Sequence, residues 1–160
     1  MKTILKAFIV GLVLSLAGGA VVSAATADPV VGTWTLNLTK SKFEPGRAPQ
    51  SLTRTYAASD AGLAMTINGV DAGGKAIAMQ STFKYDGTDY PYGGSDSYDA
   101  LAVKRVNGST VKSTLKKAGK VVGHSVRTIS AHGTVLTLSS TIQDAGGKPH
   151  HEVAVFDKQS

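Results

Sequence analysis

The chain has 160 residues, with 17 Lys and Arg against 11 Asp and Glu, a formal net charge of +6 and no cysteine. Without cysteine, disulfides, thiolate metal ligands, a Cys nucleophile and the lipid attachment of a bacterial lipoprotein are all excluded. The positive net charge is mild, and the sequence lacks the concentrated basic face, interleaved with aromatic residues, that nucleic-acid binders present. We therefore expect no nucleic-acid partner.

The N-terminal residues have the layout of a cleavable signal peptide. Lys2 and Lys6 flank the start of an apolar stretch over 7–20, and small residues then offer cleavage after Ala24 or Ala27. The apolar run is shorter than the roughly 20 residues that a spanning helix needs. We expect a helical signal peptide over 1–27, one domain over 28–160 without a transmembrane span, and a periplasmic or secreted location. Removing the two lysines lowers the net charge from +6 to +4.

The mature chain repeats one pattern: apolar residues at every second position, followed by a Gly, Asn or Asp turn. This period is typical of strands with one buried and one solvated face. In chain order, the apolar positions are Trp34, Leu36 and Leu38; Leu63, Met65 and Ile67; Ile77, Met79, Phe83 and Tyr85; Leu101 and Val103; Val111 and Leu115; Val122 and Val126; Leu136, Leu138 and Ile142; and Val153 and Val155.

Short turn signals separate these segments, among them Asp71-Ala72-Gly73-Gly74, Asp86-Gly87 and Asn107-Gly108. Links this short join only antiparallel neighbours. Two Pro- and Gly-containing stretches, 41–50 and 90–96, are predicted loops. The sequence thus predicts an all-β, up-and-down meander of about eight to ten strands. Such a meander forms a sandwich or a closed barrel, and we expect the barrel because closure removes exposed edges.

Gly32-Thr33-Trp34 on the first strand resembles the Gly-x-Trp signature of lipocalins and their calycin relatives. Four further stretches, at 40–43, 85–91, 104–107 and 155–158, extend a resemblance to small secreted bacterial lipocalin-like proteins across the mature chain. The resemblance implies a lipocalin-like barrel with Gly32 and Trp34 as structural signature. It also implies that Trp34 packs beside a basic side chain from a late strand, either Arg127 or Lys158.

No residue pattern indicates catalysis, a metal or a cofactor. His150 and His151 are adjacent, so on a strand they point to opposite faces. His150 and Glu152 share a face, but no second cluster completes a metal site, and we interpret the histidines as solvated edge or turn residues. No Gly-x-Ser-x-Gly elbow is present, and the aspartates concentrate in turns, where they cap their own backbone. We expect a protein that is not an enzyme.

A ligand site is the remaining prediction. An apolar wall with one or two polar anchors is typical of small-molecule pockets. Tyr90, Tyr92 and Tyr98 form an aromatic rim or only anchor their loop, and Arg54 or Arg127 meets an acidic group of the ligand if a pocket exists. If the same side chains simply fill the barrel, there is no site. The candidate ligand-binding residues are Arg54, Tyr56, Met65, Met79, Phe83, Tyr85, Tyr90, Tyr92 and Arg127.

The leading hypothesis is an exported, monomeric barrel that binds a small apolar or amphipathic molecule. The alternative is an envelope interaction or inhibitor module whose barrel interior is solid. That module would use its loops and a cluster of basic residues on another macromolecule, although solubility is the simpler role for these charges. The cluster comprises Lys104, Arg105, Lys112, Lys116, Lys117 and Lys120.

Overall fold

In a computed structural model, residues 27–144 and 146–160 are described, and they form a closed barrel of ten antiparallel strands. Each strand pairs with its sequence neighbour, and the first also pairs with the last. The predicted all-β meander closed into a barrel is confirmed. The predicted signal peptide lies outside the described residues, apart from Ala27. The strands are β1 (Gly32–Leu36), β2 (Ser51–Ser59), β3 (Gly62–Val70), β4 (Ala76–Phe83), β5 (Asp86–Gly93), β6 (Ala100–Arg105), β7 (Thr110–Lys117), β8 (Lys120–Ile129), β9 (Val135–Gln143) and β10 (Pro149–Lys158).

Alternation of side chains along each strand explains where the core lies. Trp34 pairs with Arg54 on β2 and with Lys158 on β10, so these side chains share the inner face. The seam between β4 and β5 is the shortest, with Ser81 opposite Tyr92 as one of two paired positions. There the Ser81 hydroxyl also donates to the Pro91 carbonyl at 2.8 Å. Side-chain and backbone hydrogen bonds together therefore close the barrel at this seam.

The end of the barrel where the chain enters and leaves is filled, and we call it the closed end. Val30 and Trp34 are both fully buried, and the Trp34 indole donates to the Val30 carbonyl at 2.7 Å. The Lys158 ammonium lies 5.2 Å from the Trp34 ring centroid. Of the two basic residues that the resemblance allowed beside Trp34, the structure has Lys158 there. Asp28 pairs with Arg105, which ties the entering segment to β6.

The opposite end carries the longest connection, and we call it the mouth. Residues 41–50, here named the strap, run from β1 towards β2 after a single 3-10 turn at Leu38–Lys40. The turns at 71–75 and 94–99 and the connection from β9 to β10 lie at the same end, because successive strands alternate in direction. Within the described part of the chain, no helix has the length and apolar character to cross a membrane.

On β8 and β10 the predicted inward face was wrong. Arg127 and Ser125 are buried on β8 and Val126 is not, and on β10 the inward face carries Ala154 and Phe156 instead of Val153 and Val155.

Two predictions about the ends of elements were also wrong. Leu38 does not continue the inner face of β1, since the strand ends at Leu36 and Leu38 is 45% exposed in the 3-10 turn. Residues 90–93 belong to β5 instead of a loop. Pro91 is tolerated in this strand because β4 and β5 pair over so few positions that its missing N–H breaks no extended ladder.

Candidate ligand-binding site

Two adjacent cavities lie inside the barrel. The inner cavity measures about 70 Å³, and the outer one, beneath the strap, about 200 Å³. Their common wall is formed by Arg54, Tyr98, Leu138 and Glu152, which line both. The barrel interior is therefore neither solid nor widely hollow: a small cavity that contains two arginines lies beside a larger, mainly apolar one.

Two guanidinium groups project into the inner cavity from β2 and β8. Arg127 is 6% exposed, and its Nη2 donates to the Tyr85 hydroxyl at 2.7 Å. Arg54 donates through Nη1 to the Tyr56 hydroxyl at 3.0 Å. The Arg127 guanidinium also lies 5.1 Å from the Tyr56 ring centroid, so this tyrosine links the two cations. The direct partners of both charges are hydroxyl oxygens and aromatic ring faces.

Neither guanidinium is fully satisfied. The Nε atoms of Arg54 and Arg127 are sealed from solvent and have no hydrogen-bond partner among the described residues. Nor does any carboxylate oxygen of those residues lie within 4.0 Å of either group. An unsatisfied buried donor costs about 1–3 kcal/mol, and an unpaired buried charge costs more. The site is thus electrostatically prepared for an anion.

A row of small polar side chains crosses the wall of the inner cavity. Ser113 on β7 lies opposite Ser125 on β8, Ser125 opposite Ser140 on β9, and Ser140 opposite Glu152 on β10. All four line the inner cavity. Burial raises the pKa of Glu152, although the charges of Arg54 and Arg47 oppose this shift. The inner cavity therefore offers hydroxyls and one carboxyl alongside its two cations.

The tyrosines of the inner cavity differ in their acidity. Burial pushes the pKa of Tyr56 upwards, but the neighbouring charges of Arg54 and Arg127 outweigh burial, and its pKa is lowered. Burial raises the pKa of Tyr92 and of Tyr98. Tyr98 donates to the Tyr92 hydroxyl at 3.4 Å, and the two rings meet edge to face at 4.6 Å. These two rings therefore form a neutral part of the wall.

The outer cavity is mainly apolar. Phe43 and Pro49 of the strap face Leu52, Ile67, Ile77 and Met79 of the barrel across it. Arg47, Asp71 and Glu152 are the charged residues at its border, besides Arg54 in the wall shared with the inner cavity. An apolar chamber outside a cationic one matches the shape of a molecule with an apolar body and an acidic end.

The structure brings most of the sequence-predicted site residues together. Met79 lines only the outer cavity, and Tyr85 holds Arg127 from outside both cavities. Tyr90 lines neither cavity, because its hydroxyl donates to Asp86 at 2.7 Å on the exposed side of β5. The residues on the inner cavity are Arg54, Tyr56, Met65, Phe83, Tyr92 and Arg127. Whether any of them binds a ligand stays a prediction.

Sequence reasoning missed several lining residues. Ser140 shares a face of β9 with Leu138, so alternation placed it inward, whereas Ser125 shares a face of β8 with Arg127, opposite to the face that Val126 predicted. They were overlooked because a serine at an inward position reads as a break in the apolar pattern. The strap residues Phe43 and Pro49 carry no such signal, since nothing in a loop sequence tells which cavity it borders.

The interpretation of His150 as a solvated residue was wrong. Its side chain is 11% exposed and lies between two carboxylates, Glu44 and Asp144. These partners come from the strap and from the β9–β10 turn, which the sequence could not place next to β10. Within residues 27–144 and 146–160, no group of three or more His, Asp or Glu side chains has the geometry to hold a metal ion.

The basic cluster is partly neutralised. Lys116 pairs with Asp89 at 2.7 Å, and Lys117 pairs with Asp99 at 3.9 Å. Arg105 pairs with Asp28 and stacks on Tyr85, 4.1 Å from the ring centroid. Half of the six basic residues are thus occupied with neighbouring groups, which reduces the free charge of this face.

Ten antiparallel strands closed into a barrel with an internal cavity define a calycin-type fold. A crystal structure of zebrafish ileal bile acid-binding protein complexed with cholic acid has this fold too, with a TM-score of 0.52 and 14% sequence identity. The match covers 82% of this chain and 99% of the zebrafish chain. At this identity the likeness shows the fold alone. No protein-family model and no curated protein matches the sequence at a significant level.

Proposed function

We propose that the protein is an exported, non-enzymatic carrier or sensor of a small amphipathic molecule with an acidic group. The acidic group lies between Arg54 and Arg127 in the inner cavity, and the apolar body fills the outer cavity under the strap. The observation that carries this proposal concerns the inward guanidinium groups of Arg54 and Arg127. Their Nε donors are buried without a hydrogen-bond partner, and neither group pairs with a carboxylate of the described residues.

Three further features support the proposal. The zebrafish protein of similar fold is a bile acid-binding protein, and cholic acid is a small amphipathic acid. The serine row and Glu152 supply hydrogen-bonding groups beside the two cations. Cavities of about 70 and 200 Å³ together approach the roughly 300 Å³ at which small-molecule sites begin. The ligand is therefore a compact one. Residues 1–27 support export to the periplasm or beyond the cell.

The test is equilibrium binding of a compact acid, octanoic acid, and of its uncharged methyl ester to the full-length chain, measured by isothermal titration calorimetry. The acid should bind at least about tenfold more tightly than the ester, since a hydrogen bond to a charged group contributes about 1.5–3 kcal/mol. Arg127→Met should remove this preference. Lys112→Met is the matched control, because Lys112 is an exposed basic residue on the outer side of the neighbouring strand.

Equal affinity for acid and ester, or an unchanged preference in Arg127→Met, would contradict an internal anion site. Native mass spectrometry of the protein purified from its own host provides a second test. A small molecule that leaves on organic extraction identifies the natural ligand.

The small inner cavity favours one alternative, an interaction or inhibitor module that acts through its surface. At about 70 Å³ this cavity alone holds a few water molecules and no drug-sized ligand. In that case neither probe binds, the purified protein carries no small molecule, and Met79→Trp, which fills the outer cavity, leaves the biological activity intact.

A further inference from the structure

His150 stands at the mouth, at the start of β10, with a carboxylate on each side. Its Nδ1 lies 2.7 Å from Glu44 Oε2 on the strap, and its Nε2 lies 2.9 Å from Asp144 Oδ2 on the β9–β10 turn. A neutral imidazole carries one N–H and can donate to only one of these carboxylates. The protonated ring carries two and satisfies both. The observed arrangement is therefore that of an imidazolium held between two anions.

The two carboxylates are not equally fixed. Asp144 Oδ1 accepts from the backbone N–H groups of Gly146 and Lys148 at 2.9 and 3.0 Å, so the turn itself holds this side chain. Glu44 depends on partners from β10: its Oε2 contacts the His150 ring, and its Oε1 accepts from the His151 backbone N–H at 3.2 Å. If the imidazole loses its Nδ1 proton, the remaining Nε2–H stays with the fixed Asp144, and Glu44 loses its hydrogen bond to the ring.

Glu44 is also the last tether before the strap crosses the mouth. Upstream, Lys42 and Val153 exchange two backbone hydrogen bonds of 2.7 and 2.8 Å. Downstream, residues 45–49 make no backbone hydrogen bond to the barrel within the described structure, and attachment resumes where the Gln50 N–H donates to the Val70 carbonyl at 2.9 Å. Contact between His150 and Glu44 is thus the last polar attachment before this span, which otherwise touches the barrel, among the described residues, only where Arg47 and Pro49 border the outer cavity.

The same span forms one wall of the outer cavity through Phe43, Arg47 and Pro49. We propose that His150 is a proton-controlled latch: protonated, it holds the strap across the mouth through Glu44, and on losing its proton it lets the strap move away and opens the outer cavity. The consequence for ligand exchange rests on the proposed function, whereas the movement of the strap does not.

The charged groups around His150 set the pH range of the latch. Hydrogen bonds to Asp144 and then Glu44 raise the pKa of His150 above its ordinary 6.5, and Arg47 works in the opposite direction. The His150 hydrogen bonds lower the pKa values of Glu44 and Asp144 below 4.5 and 3.8, with Lys148 assisting at Glu44. Because the pKa of the imidazole is raised and the pKa values of the carboxyls are lowered, the latch is fully closed at pH values between those of the carboxyls and that of His150. It opens as pH rises through the pKa of His150.

Because the chain has no cysteine, a single spin label can report on the strap without a background. Ala48 is exposed within the span, so Ala48→Cys provides the site in the full-length, ligand-free chain. Label mobility, measured by electron paramagnetic resonance from about pH 5 to about pH 9, should rise with the midpoint at which the His150 ring titrates by NMR. His150→Gln should give a mobile label throughout.

His151→Gln is the matched control, since the His151 ring contacts Thr141 and not the strap. It should keep the transition of the parent. Glu44→Gln retains the fold and one hydrogen bond but removes an anion, so its transition should move to lower pH. A label whose mobility is unchanged while the His150 ring titrates, or a transition lost in His151→Gln, overturns the latch.

Ligand exchange is then measured separately, as the dissociation rate of octanoic acid on either side of the transition, from NMR line shapes. A rate that rises with strap mobility extends the latch to the cavity. A mobile strap with no binding at any pH leaves the latch standing and refutes the proposed function. Binding of the acid to a protein whose strap stays rigid at every pH supports the proposed function and refutes the latch.

Discussion

Replacing Arg127 by methionine should leave the protein as stable as before or make it more stable. The buried guanidinium gains one hydrogen bond to Tyr85 at 2.7 Å, about 1.5–3 kcal/mol for a charged group, and a ring contact with Tyr56 at 5.1 Å, about 0.5–2 kcal/mol. Two costs oppose these contributions: desolvation of the charge costs several kcal/mol, and the unsatisfied Nε donor costs about 1–3 kcal/mol. Methionine fills similar space and has no charge to bury.

Urea unfolding followed by the fluorescence of Trp34, the single tryptophan, measures this difference. Arg127→Met should change the free energy of unfolding by less than about 1 kcal/mol or increase it by up to about 3 kcal/mol. Phe156→Ala, at a fully buried position of the same core, should lose about 3–5 kcal/mol and shows that the assay reports on packing. A loss of more than about 2 kcal/mol in Arg127→Met would refute the reasoning, because the arginine would then be a structural element.

Two further outcomes follow from local geometry. Gly94→Ala should destabilise the barrel strongly, since a Cβ at this position, where φ is +82°, would lie 1.9 Å from the Ala78 carbonyl oxygen. Gly46→Ala is the control: its φ is +75° but the space around it is open, so it should cost only about 1 kcal/mol in the same urea assay. Tyr90→Phe should raise the pKa of Asp86 from about 2 towards 3.8, because the Tyr90 hydroxyl is the main cause of the lowered value. Carbon NMR titration of Asp86 checks this, and an unchanged midpoint near 2 would show that Thr88 alone holds the carboxylate. Since the folded pKa of Asp86 is depressed, its contribution to stability is present above about pH 3.8 and is lost as pH falls towards 2.

The strand order of the barrel could be predicted because it depends on short-range signals. Apolar residues at every second position mark a strand face, and Gly, Asn and Asp mark the hairpins between antiparallel neighbours. The boundaries were less secure where those signals conflict. Pro91 and Gly93 predicted a loop, yet the residues around them pair with β6 and form β5. Leu38 fitted the period of β1, yet the chain turns one residue earlier.

The site was predictable only as a set of inward positions. Alternation placed Arg54, Tyr56 and Met65 on one face, but cavity size depends on how side chains from ten strands fill the centre, which no single strand encodes. The latch shows the same limit more sharply. His150 and Glu44 are 106 positions apart, and only the closure of β1 against β10 brings the strap to the histidine.

The pairing of the first strand with the last has a consequence for the order of folding. β1 obtains its second neighbour only when residues 149–158 have been synthesised, and the final backbone bond, from Gln159 to the Thr33 carbonyl at 2.8 Å, joins the two ends of the described chain. Until β10 docks, the partly folded sheet keeps two open edges, at β1 and at β9. During that interval it is vulnerable to edge-to-edge association with another copy. A truncation that removes β10 would make that vulnerability permanent.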